Sequence, residues 1–242
     1  MDFPDPLIRG RLLRRYKRFL SDIEIPGEGV IHAHCPNPGA MLGLAEPGSE
    51  VWVSPARNPN RKLKFTWELT RVGDHLVGIN TGHPNGLAAE ALAAGRIAEL
   101  EGYENVRREV KYGENSRIDL LLEHPGKPPC YVEIKNVHLK RPDGPATGAA
   151  EFPDSVTARG AKHLRELANV VADGGRAVML YVVQRGDCDR FALAADIDPA
   201  YAHAFADARR QGVEAICYAC DVARESIEIA GPLPFDDAFL EN

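Results

Sequence analysis

The run Ala177-Val178-Met179-Leu180-Tyr181-Val182-Val183-Gln184 holds seven apolar residues and no charge. A strand of that kind offers water no polar face, so it belongs inside a sheet covered on both sides. Cover is at hand in the flanking segments. Ser155 to Ala172 and Pro199 to Gln211 read as helices, with Asp154 or Ser155 placed to cap the first. Leu87 to Leu100, Ala-rich and apolar at helical spacing, reads as a third. Further strands are expected at Val106 to Tyr112, Arg117 to His124 and Cys130 to Leu139, and two short strands close the chain. Strands interleaved with helices make this part α/β.

The preceding segment obeys different rules. Between about residues 10 and 80, short strands alternate with Gly and Pro: Leu12 to Ile25, Gly29 to His34, Glu50 to Ser54, Leu63 to Arg71 and His75 to Ile79. Five strands in so short a stretch predict a separate small closed β-barrel, most economically of the OB type. Asn80-Thr81-Gly82-His83-Pro84-Asn85-Gly86 is dense in turn formers and divides the chain into domains 1–82 and 83–242.

Chemistry is concentrated in the second part. Asp119 ends Ser116-Arg117-Ile118-Asp119, and Glu133-Ile134-Lys135 lies on the next strand, after the Pro125-Gly126 turn. Side chains two apart on a strand share a face, so Glu133 and Lys135 project together while Ile134 enters the core. A hairpin brings Asp119 to Glu133 if the register cooperates. Two carboxylates form the anionic corner that a hard cation such as Mg²⁺ (or Mn²⁺) prefers, leaving other positions to water and phosphate oxygen. Such an ion polarises a phosphate and acidifies water. Lys135 would orient that water or offset developing charge. Glu90, near the start of the Ala-rich helix, either favours the helix dipole or adds a third acid.

In the first part of the following helix, Arg159, Lys162 and His163 stand at i, i+3 and i+4, the spacing of a phosphate clamp. The formal charge of −6 hides an asymmetry. Residues 1–82 hold 11 Lys/Arg against 9 Asp/Glu, and the remainder 18 against 26. Local basic patches, rather than the total, set phosphate affinity. Arg9, Arg11, Arg14, Arg15, Lys17 and Arg18 form one patch, and Arg57, Arg61, Lys62 and Lys64 another. Tyr16 among them is expected as an exposed stacking platform for a base, while Phe19 and Trp67 are expected in the barrel core.

Other functions are disfavoured. No Gly-x-Gly-x-x-Gly follows a strand and there is no P-loop. The acidic start, Met1-Asp2-Phe3-Pro4-Asp5, lacks the basic and apolar regions of a signal peptide, and no apolar run is long enough to span a membrane, so a soluble cytoplasmic protein is expected. Five cysteines without a secretion signal argue against a disulfide framework. Cys217-x-x-Cys220 lies within an apolar run and is expected as buried structural thiols. His32-x-His34, beside Cys35, is likewise expected to be structural.

With these residues in view, the chain resembles the sugar fermentation stimulation protein A (SfsA) family. The matching segments are Arg-Tyr-Lys-Arg-Phe at 15–19, His34-Cys35-Pro36-Asn37-Pro38-Gly39-Ala40-Met41, Asn80-Thr81 with Pro84-Asn85, Ser116 to Asp119, Glu133 to Asn136, and Phe152-Pro153-Asp154 through His163-Leu164. Pro38 stands where the family usually has Thr. The resemblance implies an N-terminal OB-like barrel followed by a PD-(D/E)XK nuclease-like α/β domain. It places metal carboxylates on Asp119 and Glu133, an active-site lysine on Lys135 and an accessory helix acid on Glu90. Two functions remain open: a Mg²⁺-dependent nuclease acting on DNA or RNA, and a non-cleaving DNA-binding regulator of sugar-metabolism genes. An intact acid pair favours the first, because a pure binder gains nothing by gathering repelling carboxylates beside phosphate. A homodimer formed through exposed barrel edges is also open.

Overall fold

In the computed structural model, which describes residues 1–236, the N-terminal half is a sheet of six strands. They are β1 (Ile8–Tyr16), β2 (Leu20–Ile25), β3 (Gly29–His34), β4 (Glu50–Pro55), β5 (Phe65–Val72) and β6 (His75–Gly78), in the order β3-β2-β1-β4-β5-β6. Parallel pairing of Ala33 with Phe65 and of His34 with Thr66 joins β3 to β5 and closes the first five strands into the expected OB barrel. Leu12, Ile23, Val51, Val53 and Trp67 fill it. Trp67 is fully buried, as expected, with its indole N–H donating to the Leu69 carbonyl over 2.9 Å.

The single strand expected over Leu12 to Ile25 is instead a hairpin. Tyr16 pairs with Leu20 across the loop Lys17-Arg18-Phe19, where Lys17 and Arg18 take φ of 50° and 64°. Neither residue is Gly or Asn, so the usual turn signal is missing from the sequence. The loop carries Phe19 out of the core to 49% exposure, against expectation.

The second half begins with α1 (Pro84–Ala93), followed by β7 (Asn105–Tyr112), β8 (Ser116–Glu123), β9 (Cys130–Val137) and β10 (Ala150–Phe152). Then come α2 (Ala158–Ala172), β11 (Arg176–Val183), β12 (Phe191–Leu193), α3 (Pro199–Arg210), β13 (Glu214–Val222) and β14 (Ile227–Pro232). The main sheet runs β14-β13-β11-β9-β8-β7, with β9, β11 and β13 mutually parallel. The apolar run thus lies at the centre. Val178, Leu180 and Val182 face α1 and the barrel residues Trp52 and Leu69, whereas Ala177, Met179, Tyr181 and Val183 face α2 and α3. Each fully buried Val or Leu contributes roughly 1.5–3 kcal/mol. A charge placed at Leu180 would find no water on either side.

The helix expected from Leu87 to Leu100 stops early. Gly95, at φ 64°, donates its N–H to Leu92, and Arg96 donates to Ala91, a Schellman termination. Only a 3₁₀ turn, Ala98–Leu100, follows. The cap of α2 also differs: Thr157 Oγ1 accepts from Gly160 N at 3.1 Å, and Asp154 is engaged elsewhere.

The two halves are bonded together. Gly78 N donates to Gln184 O at 2.8 Å, and Val77 bridges to Arg185. The first three residues cross the expected boundary: Met1 N donates to Ile227 O and Phe3 N to Glu225 O, both at 2.9 Å. Cys217 and Cys220 are free, buried thiols raised by burial, Cys220 to about 12. His32 Nδ1 lies 2.6 Å from Asp22 Oδ1. No described helix is long and apolar enough to cross a membrane.

Candidate metal centre and nucleic-acid interface

The β8–β9 ladder pairs Leu122 with Cys130, Leu121 with Tyr131 and Leu120 with Val132, then stops. One step further, the strand partners are Asp119 and Glu133. Ile118 packs on the α2 side and Leu120 on the α1 side, although residues two apart normally share a face, so β8 turns over at Asp119. On the neighbouring strand, Glu109 has φ 53° at the matching break. Asp119 Oδ2 then takes the place of a backbone acceptor, receiving the Ile134 N–H at 2.7 Å. Its Oδ1 accepts from Asn85 Nδ2, in the first turn of α1, at 2.8 Å.

Glu133 is buried. Its Oε1 accepts from Lys135 Nζ at 2.6 Å and pairs with His163 Nδ1 of α2, while Oε2 is buried without a hydrogen bond. Burial raises the Asp119 pKa, and the negative Glu133 raises it further. For Glu133, burial also pushes upward, but the His163 hydrogen bond and the Lys135 charge prevail and hold it below the usual carboxylate range. The two neighbouring carboxyls are thus pushed in opposite directions.

The remaining expected residues are distributed differently. Glu90 is not brought to the pair: its carboxylate, more than half exposed, meets the Met1 amino group at 2.7 Å. Asn85 occupies the place on α1 expected of an acid. Arg159 Nε donates to His163 Nε2 at 3.2 Å, whereas Lys162 turns to the Glu114 carbonyl at 2.8 Å, so the three α2 residues do not act on one point. In the barrel, Arg14 Nε donates to Asp22 Oδ2 at 2.7 Å, and its guanidinium lies 4.8 Å over the Tyr16 ring. Tyr16 donates to Asp22 Oδ1 at 3.1 Å and is half-buried with Arg14 over its ring, so it is not the fully exposed platform expected. Arg15 braces the next loop through the carbonyls of Asn37 and Gly39, each at 2.9 Å. Lys17 and Arg18 stand exposed at the hairpin tip.

Sequence reasoning missed a polar seam between the domains. Buried Glu68 of β5 accepts from Ser54 Oγ at 2.6 Å and Asn80 Nδ2 at 2.8 Å, and pairs with His83 Nε2 at 2.9 Å. Gln184 Nε2 donates to Asn80 O at 3.0 Å and Asn136 Oδ1 at 2.6 Å. Asn136 meets His138 at 2.8 Å, His138 meets Asp154 at 3.2 Å, and Asp154 accepts from Met41 N at 3.4 Å. Asn80, Asn136, Asp154 and Met41 all fall in the motif segments, so those segments converge in space. Behind Glu133, the Tyr112 hydroxyl and both Glu166 oxygens are also buried without hydrogen bonds. Burial raises the Tyr112 pKa, reinforced by Glu133, Glu166 and Asp119.

Among the described residues, no three His, Cys, Asp or Glu side chains form a complete metal cage. The carboxylate pair nonetheless fits a hard divalent ion, which characteristically takes one or two protein carboxylates and keeps its waters. The unpartnered Glu133 Oε2 and the Glu133 charge that raises Asp119 are both features a cation would relieve.

A family model described as the sugar fermentation stimulation protein RE domain matches residues 82–226, and one described as the SfsA N-terminal OB domain matches residues 13–79. A sugar fermentation stimulation protein homolog of Paramagnetospirillum magneticum is 60% identical over 98% of both chains. Another, from Jannaschia sp., is 57% identical over 98% of this chain and 97% of its own. The solved structure of Pyrococcus furiosus SfsA in complex with Ca²⁺ superposes with a TM-score of 0.85 at 26% identity, covering 98% of each chain.

Proposed function

Since the chain belongs to the sugar fermentation stimulation protein family, whose OB domain supports nucleic-acid binding, we propose that it is a Mg²⁺- or Mn²⁺-dependent nuclease. The carrying observation is Asp119 beside Glu133, with Lys135 and His163 both on Glu133 Oε1. Asp119 and Glu133 would hold the ion, and a relative solved with Ca²⁺ supports a divalent occupant. When bound, the ion supplies Lewis-acid stabilisation of the phosphate and an acidified attacking water. Asn85 and Ile134 N fix the Asp119 carboxylate. Lys135, held in place by Glu133, offsets charge on the phosphorane oxygens. Arg159, exposed on α2 and braced by His163, grips a neighbouring phosphate.

The second reading is a DNA-binding regulator that does not cut. It is favoured by the diversion of Glu90 to Met1, which takes the expected helix acid away from the centre. The test is cleavage of end-labelled single- and double-stranded DNA and RNA with Mg²⁺, Mn²⁺ or EDTA, alongside Glu133→Gln. Cutting that requires the ion and is lost in the variant supports the nuclease. Binding without cutting in every metal supports the regulator.

A further inference from the structure

Among the described residues, the exposed large hydrophobic side chains are Phe19, Val30, Leu42, Val106 and Val156. Three of the five, Phe19, Leu42 and Val156, border one loop, residues 35–42. The Phe19 carbonyl receives the Cys35 N–H at 2.9 Å, which seats the hairpin tip against the loop's start. Arg15 ties the same hairpin to the Gly39 carbonyl. At the far end, Met41 N donates to Asp154, and Gly39 approaches Asp154 so closely that an added Cβ would lie 2.2 Å from Oδ2. Val156 lies two residues beyond Asp154, and Arg159 one turn further, bonded to His163 and so to Glu133.

We propose, on the premise that the chain binds nucleic acid, that this border is a track for a single strand. Its unstacked bases rest on Phe19, Leu42 and Val156 as it runs from the barrel to the carboxylate pair. Charge fits the occupant: Lys17, Arg18 and Arg159 are exposed beside the apolar steps and have no carboxylate partner among the described residues. The acids close by are already engaged, Asp22 by Arg14, Tyr16 and His32, and Asp154 by His138. A duplex keeps its bases stacked inside and presents phosphates, to which apolar side chains contribute nothing. A single strand presents π-faces that aromatic side chains accept without regard to sequence. A second copy of this chain fits less well, because a two-fold contact through this face would set both groups of cations against each other.

The test is equilibrium binding in EDTA, so that no strand is cut. The probes are a labelled mixed-sequence 20-mer and the matching duplex, with Phe19→Ala, Phe19→Trp and Leu42→Ser, and sedimentation of each protein alone. Phe19→Ala is expected to weaken single-strand binding about tenfold, within the range that loss of one base–aromatic stack produces, and to leave duplex binding within about twofold. Phe19→Trp is expected to retain wild-type affinity, and the salt dependence is expected to stay unchanged because no cation is lost. Equal weakening for strand and duplex, or no weakening, overturns the track and leaves nucleic-acid binding standing. Failure of the wild-type protein to bind either probe overturns both. A wild-type dimer that Phe19→Ala dissociates, with strand affinity per protomer unchanged, shows that the face joins copies and also overturns the track.

Discussion

Asn85 Nδ2 lies 2.8 Å from Asp119 Oδ1, and the helix turn that carries Asn85 is entered through His83, whose ring is held by Glu68 of the barrel at 2.9 Å. The barrel is thereby linked to the carboxylate pair through three side chains and one helix turn. Asn85→Ala frees one Asp119 oxygen to rotate. Loss of a group that orients a metal ligand typically costs 10–100-fold in metal affinity or activity, and a loss on the order of tenfold in Mn²⁺ affinity is expected here. Calorimetric titration of the uncut protein with Mn²⁺ measures it directly. Unchanged affinity would remove Asn85 from the centre.

Asp119→Asn separates stability from chemistry. A carboxyl whose folded pKa is raised is most compatible with folding when protonated, so the native state loses stability as pH climbs from the ordinary value of 3.8 through the raised one. At neutral pH without metal, the neutral amide is therefore expected to raise Tm. The scale is on the order of 2–4 °C, the shift that about 1 kcal/mol makes in a chain of this size. The gain should vanish below about pH 3, where the acid is already neutral. Metal-dependent cutting should disappear, with nucleic-acid binding retained or tightened. Scanning calorimetry across pH and a gel-shift assay test the two halves independently.

The central strand and the carboxylate pair were legible because each rests on local pattern: seven apolar residues in a row, and Glu-x-Lys on one face. Turns and partners were not. The Lys17-Arg18 turn adopts positive φ with two long side chains, and the bonds that hold it, Cys35 N–H to the Phe19 carbonyl and Arg15 Nε to the Arg18 carbonyl, are not a turn signal that can be read from its own residues. The residues leave Glu90 open between the helix dipole and a third acid, and the family resemblance places it at the centre. Five residues from Asn85 along a helix is about 140° around the axis, which aims it at Met1 instead. The seam of Glu68, Gln184 and His138 escaped notice because its members are isolated in sequence and meet only across the domain boundary.

Glu68 predicts an acid-sensitive junction. Burial alone would raise its pKa, but the His83 hydrogen bond and charge, with the bonds from Ser54 and Asn80, bring it below the ordinary 4.5. A lowered carboxylate contributes stability that is present above the ordinary value and lost as pH falls through the folded one. Wild-type stability should therefore decline below about pH 4.5, and Glu68→Gln should flatten that decline. Glu68→Ala leaves several buried donors without an acceptor and is expected to cost about 3–5 kcal/mol at neutral pH. Denaturant titrations between about pH 3 and pH 7 distinguish the variants, and parallel curves for wild type and Glu68→Gln would contradict the assignment.

Gly39→Ala tests the other end of the seam. Its Cβ would come within 2.2 Å of Asp154 Oδ2 and 2.9 Å of Cγ, closer than non-bonded atoms approach, so the Asp154 carboxylate must withdraw. Withdrawal breaks its links to His138 Nε2 and Met41 N, the two contacts through which Asp154 joins the residue after β9 to the loop. Overpacking of this kind costs about 1–3 kcal/mol. The loss should be concentrated at the junction and at the edge of the barrel core that Met41 fills, because the β11 core lies away from both. Faster hydrogen exchange at Met41 and the neighbouring loop amides, with unchanged protection in β11, is the expected signature. Uniform loss of protection would mean that the two domains unfold as one unit and that the seam is not a separable joint.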